Sequence, residues 1–214
     1  MTEWIAVSRK AHYDQTYAPR ERYAHAAGQM VVPVVLAELP QVVPHYVIGF
    51  RPGEGGIMPV ALLGVEQEQN LYLHPDGRWI AGYVPAALRG FPFALADSPQ
   101  GEKKLSIAAQ HLGTGDQPLF QDGEPAPPVA ETLTFLAQYA NNRELTHRAC
   151  LALEQAGVLV PWSLAVPIGQ TRRHLNGLYR VDEEALDALD GADYAQLQGG
   201  PMRLAYAQLY STDQ

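Results

Sequence analysis

The sequence predicts an α+β fold: a β-rich N-terminal part, residues 1–117, followed by a helix-rich C-terminal part, residues 118–214, in a single domain sharing one core. Three observations carry this. Short apolar runs separated by Gly, Pro and Asp-Gly turns fill the first half. Val129, Leu133, Leu136, Ala140, Leu145, Ala149, Ala152, Leu153 and Ala156 then recur at three- and four-residue steps, the period of a helix. Between them, Pro118 to Pro128 (PLFQDGEPAPP) is a proline-rich boundary with its own Asp-Gly turn.

Taken in order, Trp4–Val7 reads as a first strand, and the polar stretch containing Tyr13, Tyr17 and Tyr23 as mostly irregular. Valines and leucines from Val31 to Leu39 surround Pro33, which a first helical turn tolerates, so a short helix is expected over Pro33–Val43, ending near Pro44. Tyr46–Phe50 and Ile57–Val65 suit buried strands on either side of a turn-rich loop, Pro52-Gly53-Glu54-Gly55-Gly56. Asn70–Leu73 and Trp79–Ile80 read as a hairpin about His74-Pro75-Asp76-Gly77-Arg78, where Pro presets φ and Gly accepts positive φ. A helical turn opened by Pro85 covers Tyr83–Arg89, and strands are expected at Phe91–Leu95 and Lys104–Ala109. After the long helix, Gly157 stands where a terminating glycine belongs, and Asn141-Asn142 is a place to bend or split it. Val158–Ile168 and Arg173–Arg180 form an antiparallel pair about residues 169–171. Asp182-Glu183-Glu184 opens a helix with acidic residues at its positive end, and Met202–Tyr210 is the last helix.

Composition bounds the function classes. Of 214 residues, 47% are apolar and 18% charged, enough for a core and too apolar for disorder. A net charge of −8, with adjacent basic residues confined to isolated pairs such as Lys103-Lys104 and Arg172-Arg173, argues against nucleic acid as a partner. The one cysteine, Cys150, forms no internal disulfide, fits a reducing compartment and is expected to be a buried, inert thiol. The most apolar window, Met30–Phe50, carries Pro33, Pro40, Pro44, Glu38 and His45, which are costly in lipid. Residues 1–10 have Glu3 and no apolar signal core. A soluble, cytoplasmic protein without membrane insertion is expected.

Chemistry-bearing patterns are scarce. The seven histidines (His12, His25, His45, His74, His111, His147 and His174) show no metal-ligand spacing. Ser106, His111 and Asp116 lack a nucleophile elbow. The glycines at 53–56 and 113–115 lack the residues of a phosphate loop. Acidic residues at 182–184, and Asp122 with Glu124, are explained by a helix start and a turn. No catalytic residue, metal site or cofactor is assigned. Arg78, Tyr83, Arg89 and Phe91, in a window with Trp79 and Phe93, combine rings and forked donors in the way contact surfaces do, and are assigned to partner binding.

Val32–Phe50 (VPVVLAELPQVVPHYVIGF), Asn70–Phe93 (NLYLHPDGRWIAGYVPAALRGFPF), Leu119–Pro125 (LFQDGEP), Leu175–Leu186 (LNGLYRVDEEAL) and the Gln198–Leu209 tail together resemble the SapC-like family of bacterial proteins. The resemblance runs through most of the chain and departs at Ser106–Gln117 (SIAAQHLGTGDQ), where members often show Cys, Ile and acidic residues. It implies an association with surface-layer biogenesis and export, and no reaction or catalytic residue. The resulting expectation is a non-catalytic accessory protein that binds a protein or peptide. The alternatives are a metal-dependent oxygenase or hydrolase using dispersed His, Asp and Glu, and a small-molecule sensor.

Overall fold

The computed structural model describes residues 2–53, 55–97 and 103–212. It is α+β, with the helices concentrated toward the C-terminus. In chain order the elements are β1 (Trp4–Ala6), α1 (Arg9–His12), β2 (Thr16–Tyr17), β3 (Val31–Pro33), α2 (Leu39–Val42), β4 (Ile48–Gly53), β5 (Gly56–Leu62), α3 (Ala86–Arg89), β6 (Phe93–Asp97) and β7 (Lys103–Ala108). There follow β8 (Gln117–Pro118), β9 (Phe120–Gln121), β10 (Glu124–Pro125), α4 (Pro127–Gln155), β11 (Leu159–Ile168), β12 (Thr171–Val181), α5 (Glu183–Asp187), α6 (Gly191–Gln196) and α7 (Gly200–Ser211). Short 3₁₀ turns occur at Ala24–Ala26, Leu36–Glu38 and Ala109–His111.

Contacts divide the chain into two interleaved compact units. The first comprises residues 1–22 and 88–141, the second residues 23–87 and 142–214. The proline-rich stretch from Pro118 therefore lies inside the first unit.

In the first unit, β1, β7 and β6 form an antiparallel sheet with Trp4 opposite Ala108 and Phe93 opposite Ile107. Tyr17, Phe93, Ile107, Leu119, Ala126, Val129 and Leu136 are buried together, with the Tyr17 ring 4.9 Å from Phe93 and edge-on to it. The β9–β10 hairpin closes through Asp122 (φ 52°) and Gly123 (φ 86°), two successive positive-φ residues, which is why Asp-Gly occupies a two-residue turn.

In the second unit the strand order is β11-β12-β4-β5-β3, antiparallel throughout. Along β11 the half-buried residues Trp162, Leu164 and Val166 alternate with exposed Pro161, Ser163, Ala165 and Pro167, the period of a strand with one face covered. The covered face packs on Val60, Leu62, Leu175 and Leu178. Trp162 closes over Gly49 of β4, where a Cβ would lie 3.4 Å from the indole ring, in van der Waals contact with it. Both outermost strands bear exposed prolines, Pro161 and Pro167 on β11 and Pro33 on β3.

Polar side chains finish the joints of this unit. Buried Gln208 and Ser211 of α7 accept hydrogen bonds from the Val181 and Ile48 amides, at 2.8 and 2.9 Å. Buried Thr146 of α4 accepts from Leu36 N at 3.0 Å. Asp182 caps α5 by accepting from Ala185 N, as the acidic run at that point predicts.

Several expected elements differ. The helix over Pro33–Val43 is instead a strand end, a 3₁₀ turn and one turn of α2. Val31 and Val32 favour a strand, and the Glu38 side chain bonds back to Val35 N, tightening the turn. The hairpin over Asn70–Ile80 keeps its turn, but its strands reduce to a single bridge between Leu73 and Trp79. Asn70 diverts the chain: its amide donates to the Ala26 carbonyl and its oxygen accepts from Tyr72 N. Asn141-Asn142 neither bends nor splits α4, which runs unbroken to Gln155 and ends before Gly157 at φ 71°. The second strand of the long hairpin starts at Thr171, two residues earlier than expected, and α6 has no counterpart in the sequence reading. Glu54, in the loop between β4 and β5, lies outside the described residues. Among the described residues no helix is long and apolar enough to cross a membrane.

Candidate contact site

In the second unit the segment from Asn70 to Ala86 is anchored by a buried carboxylate. Glu38 is 4% exposed, and both of its oxygens are occupied. Oε1 accepts from Val35 N at 2.9 Å, and Oε2 accepts from Ala86 N at 2.7 Å and from the Tyr83 hydroxyl at 3.0 Å. Three donors on one carboxylate satisfy a charge that burial would otherwise make costly. The same acid ends the 3₁₀ turn, fixes the first turn of α3 and holds Tyr83.

A layer of rings adjoins it. Buried Tyr46 donates its hydroxyl proton to the Tyr83 carbonyl in a short hydrogen bond, and its oxygen accepts from Trp79 Nε1 at 2.7 Å. Tyr72 lies 4.7 Å from Tyr46 and stacks on Trp79 at 6.2 Å with 16° between the planes. Tyr23 meets Trp79 edge-on at 5.7 Å. Burial pushes the Tyr46 hydroxyl up to about 12. The hydrogen bond from Trp79 opposes this, while the charges that Tyr72 and Glu38 carry when ionised reinforce it. This phenol therefore serves as a neutral strut and stays protonated through the physiological range.

On this base the turn presents its side chains. Arg78 is exposed and folds onto Asp76, with Nε 2.7 Å from Oδ2 and the Arg78 amide 2.9 Å from Oδ1. Arg78 above all, with His74, holds the Asp76 carboxyl well below the usual carboxylate range. Leu71 and Ile80 are 53% and 61% exposed, although the backbone carrying them is bonded at Leu71 N and Ile80 N.

The residues assigned to partner binding are split between the two units. Arg78 and Tyr83 belong to the second, and Tyr83 spends its hydroxyl on Glu38. Arg89 and Phe91 belong to the first. There the Arg89 guanidinium lies 4.8 Å from the centre of the Phe135 ring, a cation–π contact. Phe91 meets Trp4 and His111 edge-on, at 6.3 and 5.0 Å. Arg20 donates to the carbonyls of Phe91 and Arg89, at 3.2 and 3.4 Å. Glu38, Tyr46 and Arg20 escaped the sequence reading. A lone acid inside the apolar run Val31–Val43 was the one available signal for Glu38.

The other chemistry-bearing residues have local duties. His111 donates from Nδ1 to the Ala18 carbonyl at 2.7 Å, Ser106 is buried in β7, and Asp116 accepts from Gln117. Cys150 is buried, and desolvation, with Glu154 nearby, pushes its thiol up to about 12. Among the described residues no three His, Cys, Asp or Glu side chains are grouped so as to hold a metal ion.

The fold is an α+β chain whose ring-and-carboxylate base carries an exposed turn. The SapC family model matches residues 7–214, nearly the whole sequence, and the chain belongs to the SapC family. No curated protein and no solved structure matches it.

Proposed function

We propose that this chain is a non-catalytic cytoplasmic accessory protein that binds a protein or peptide partner during modification or export of surface proteins. The observation that supports the reading is the pair of large apolar side chains, Leu71 and Ile80, held out in solvent on either side of a turn, with both of their own amides hydrogen-bonded. Rigid presentation lowers the entropy lost when a partner docks, and a forked donor such as Arg78 beside apolar anchors adds direction to the contact. The setting in surface-protein modification or export follows from what the family resemblance implies.

The test is affinity capture with the Leu71→Ser/Ile80→Ser protein beside the wild type, with Tyr83 left intact because it supports Glu38. Loss of two anchors at a contact centre, at about 2 kcal/mol or more each, reduces capture of a specific partner by well over tenfold. The thermal melt should stay within a degree or two, because both side chains are already in water. Arg89→Ser asks the same of the first unit. Equal capture by the wild type and by both variants would refute the proposed surface.

A further inference from the structure

The first unit contains a feature that the contact reading does not use. An open surface groove of about 580 Å³ is lined by Arg9, Lys10, Tyr13, Asp122 and Gly123, and its four side chains are all solvent-exposed. Its volume falls in the range of small-molecule sites. We propose that it binds a small oxyanion ligand, a carboxylate or phosphate group on a molecule that also carries a hydroxyl or amine.

The case begins with how Arg9 is seated. Gly123 lies at φ 86° in the β9–β10 turn, and its missing side chain leaves the space that the guanidinium fills. A Cβ on Gly123 would come within 2.5 Å of Arg9 Nη2 and 3.1 Å of Cζ. The guanidinium therefore lies against the turn, on the wall of the groove. Among the described residues, neither Arg9 nor Lys10 forms an ion pair or a side-chain hydrogen bond. The guanidinium and the ammonium thus line one groove with their donors unbonded to the chain. Asp122 lines the same space without pairing to either cation, so it remains available to accept from a hydroxyl or ammonium group of a ligand. Tyr13, 46% exposed, supplies a ring as a further wall. Arg and Lys side by side recognise oxyanions by charge and forked geometry together.

The experiment titrates the ¹⁵N-labelled full chain, at constant ionic strength set with chloride, with inorganic phosphate, acetate and glycerol 3-phosphate. Saturable shifts of the Gly123 amide and the Arg9 Nε signal are expected in the millimolar range, and whichever of phosphate and acetate saturates first identifies the oxyanion. Glycerol 3-phosphate should bind at least fivefold more tightly than phosphate, a difference that Asp122→Asn removes. Arg9→Gln/Lys10→Gln should weaken binding at least tenfold with an unchanged melt. Shifts that rise without saturation for all three probes, or equal saturation in Arg9→Gln/Lys10→Gln, would overturn the assignment.

Discussion

Replacing Glu38 by alanine is the most direct test of how the second unit holds its exposed turn. The wild-type carboxylate accepts from two backbone amides, Val35 N and Ala86 N, and from the Tyr83 hydroxyl, in a site where Glu38 is 4% exposed. Alanine leaves all three donors without that acceptor. An unsatisfied buried donor costs about 1–3 kcal/mol. Tyr83 is only half-buried and can turn to water, so the two amides carry most of the loss, giving about 3–5 kcal/mol in total. That is a large share of the roughly 5–15 kcal/mol by which folded domains exceed their unfolded chains. Tyr83→Phe removes one donor and leaves the carboxylate with two, so it should cost only about 1 kcal/mol. Glu38→Gln keeps one oxygen and turns an amide donor toward another donor, and should fall between. Urea denaturation of the three variants gives the order directly, and amide exchange at Ala86 should accelerate in Glu38→Ala beyond the global change. The reasoning is refuted if Glu38→Ala lies within 1 kcal/mol of wild type, or if Tyr83→Phe costs as much as it does.

Two further outcomes follow from local geometry and burial. Gly64→Ala would place a Cβ 2.2 Å from the Gln69 carbonyl oxygen and should destabilise by more than about 2 kcal/mol, whereas Gly191→Ala meets nothing within 4 Å and should be neutral or stabilising by up to about 1 kcal/mol; chemical denaturation distinguishes them, and equal midpoints would count against the geometry. The Cys150 thiol is raised from 9.0 to about 12, so its contribution is fully present below about pH 9 and is lost as pH rises toward 12, because the unfolded chain ionises first. Stability measured from pH 8 to 11 should fall less steeply in Cys150→Ala between 9 and 10, before Tyr46 begins to contribute; parallel slopes would exclude the thiol as the source.

The legible parts of the fold were those whose determinants are local. The long helix announced itself by period and by Gly157, the β11–β12 hairpin by alternation about a short loop, and α5 by Asp182 as a cap. Arg78 could be placed in a turn because Pro75, Asp76 and Gly77 define one. Residues whose role depends on distant partners were hidden. Glu38 bonds Ala86, 48 positions away, and Thr146 bonds Leu36 across 110. Tyr83 was singled out for partner binding, yet its hydroxyl turns to Glu38, which nothing within its own window indicates. Arg89 and Phe91 lie within thirteen residues of Tyr83 and Arg78 but in the other compact unit, because the chain changes unit inside α3.

Prolines at the margins of the five-stranded sheet govern how the second unit meets foreign chains. Pro161, Pro167 and Pro33 each lack the amide proton that an incoming extended segment would need along those strands. That missing donor works against backbone pairing of another copy or a peptide along the outer strands, and with it against runaway sheet growth. Recognition there is left to side chains, which read chemical identity far more selectively than a row of identical amides.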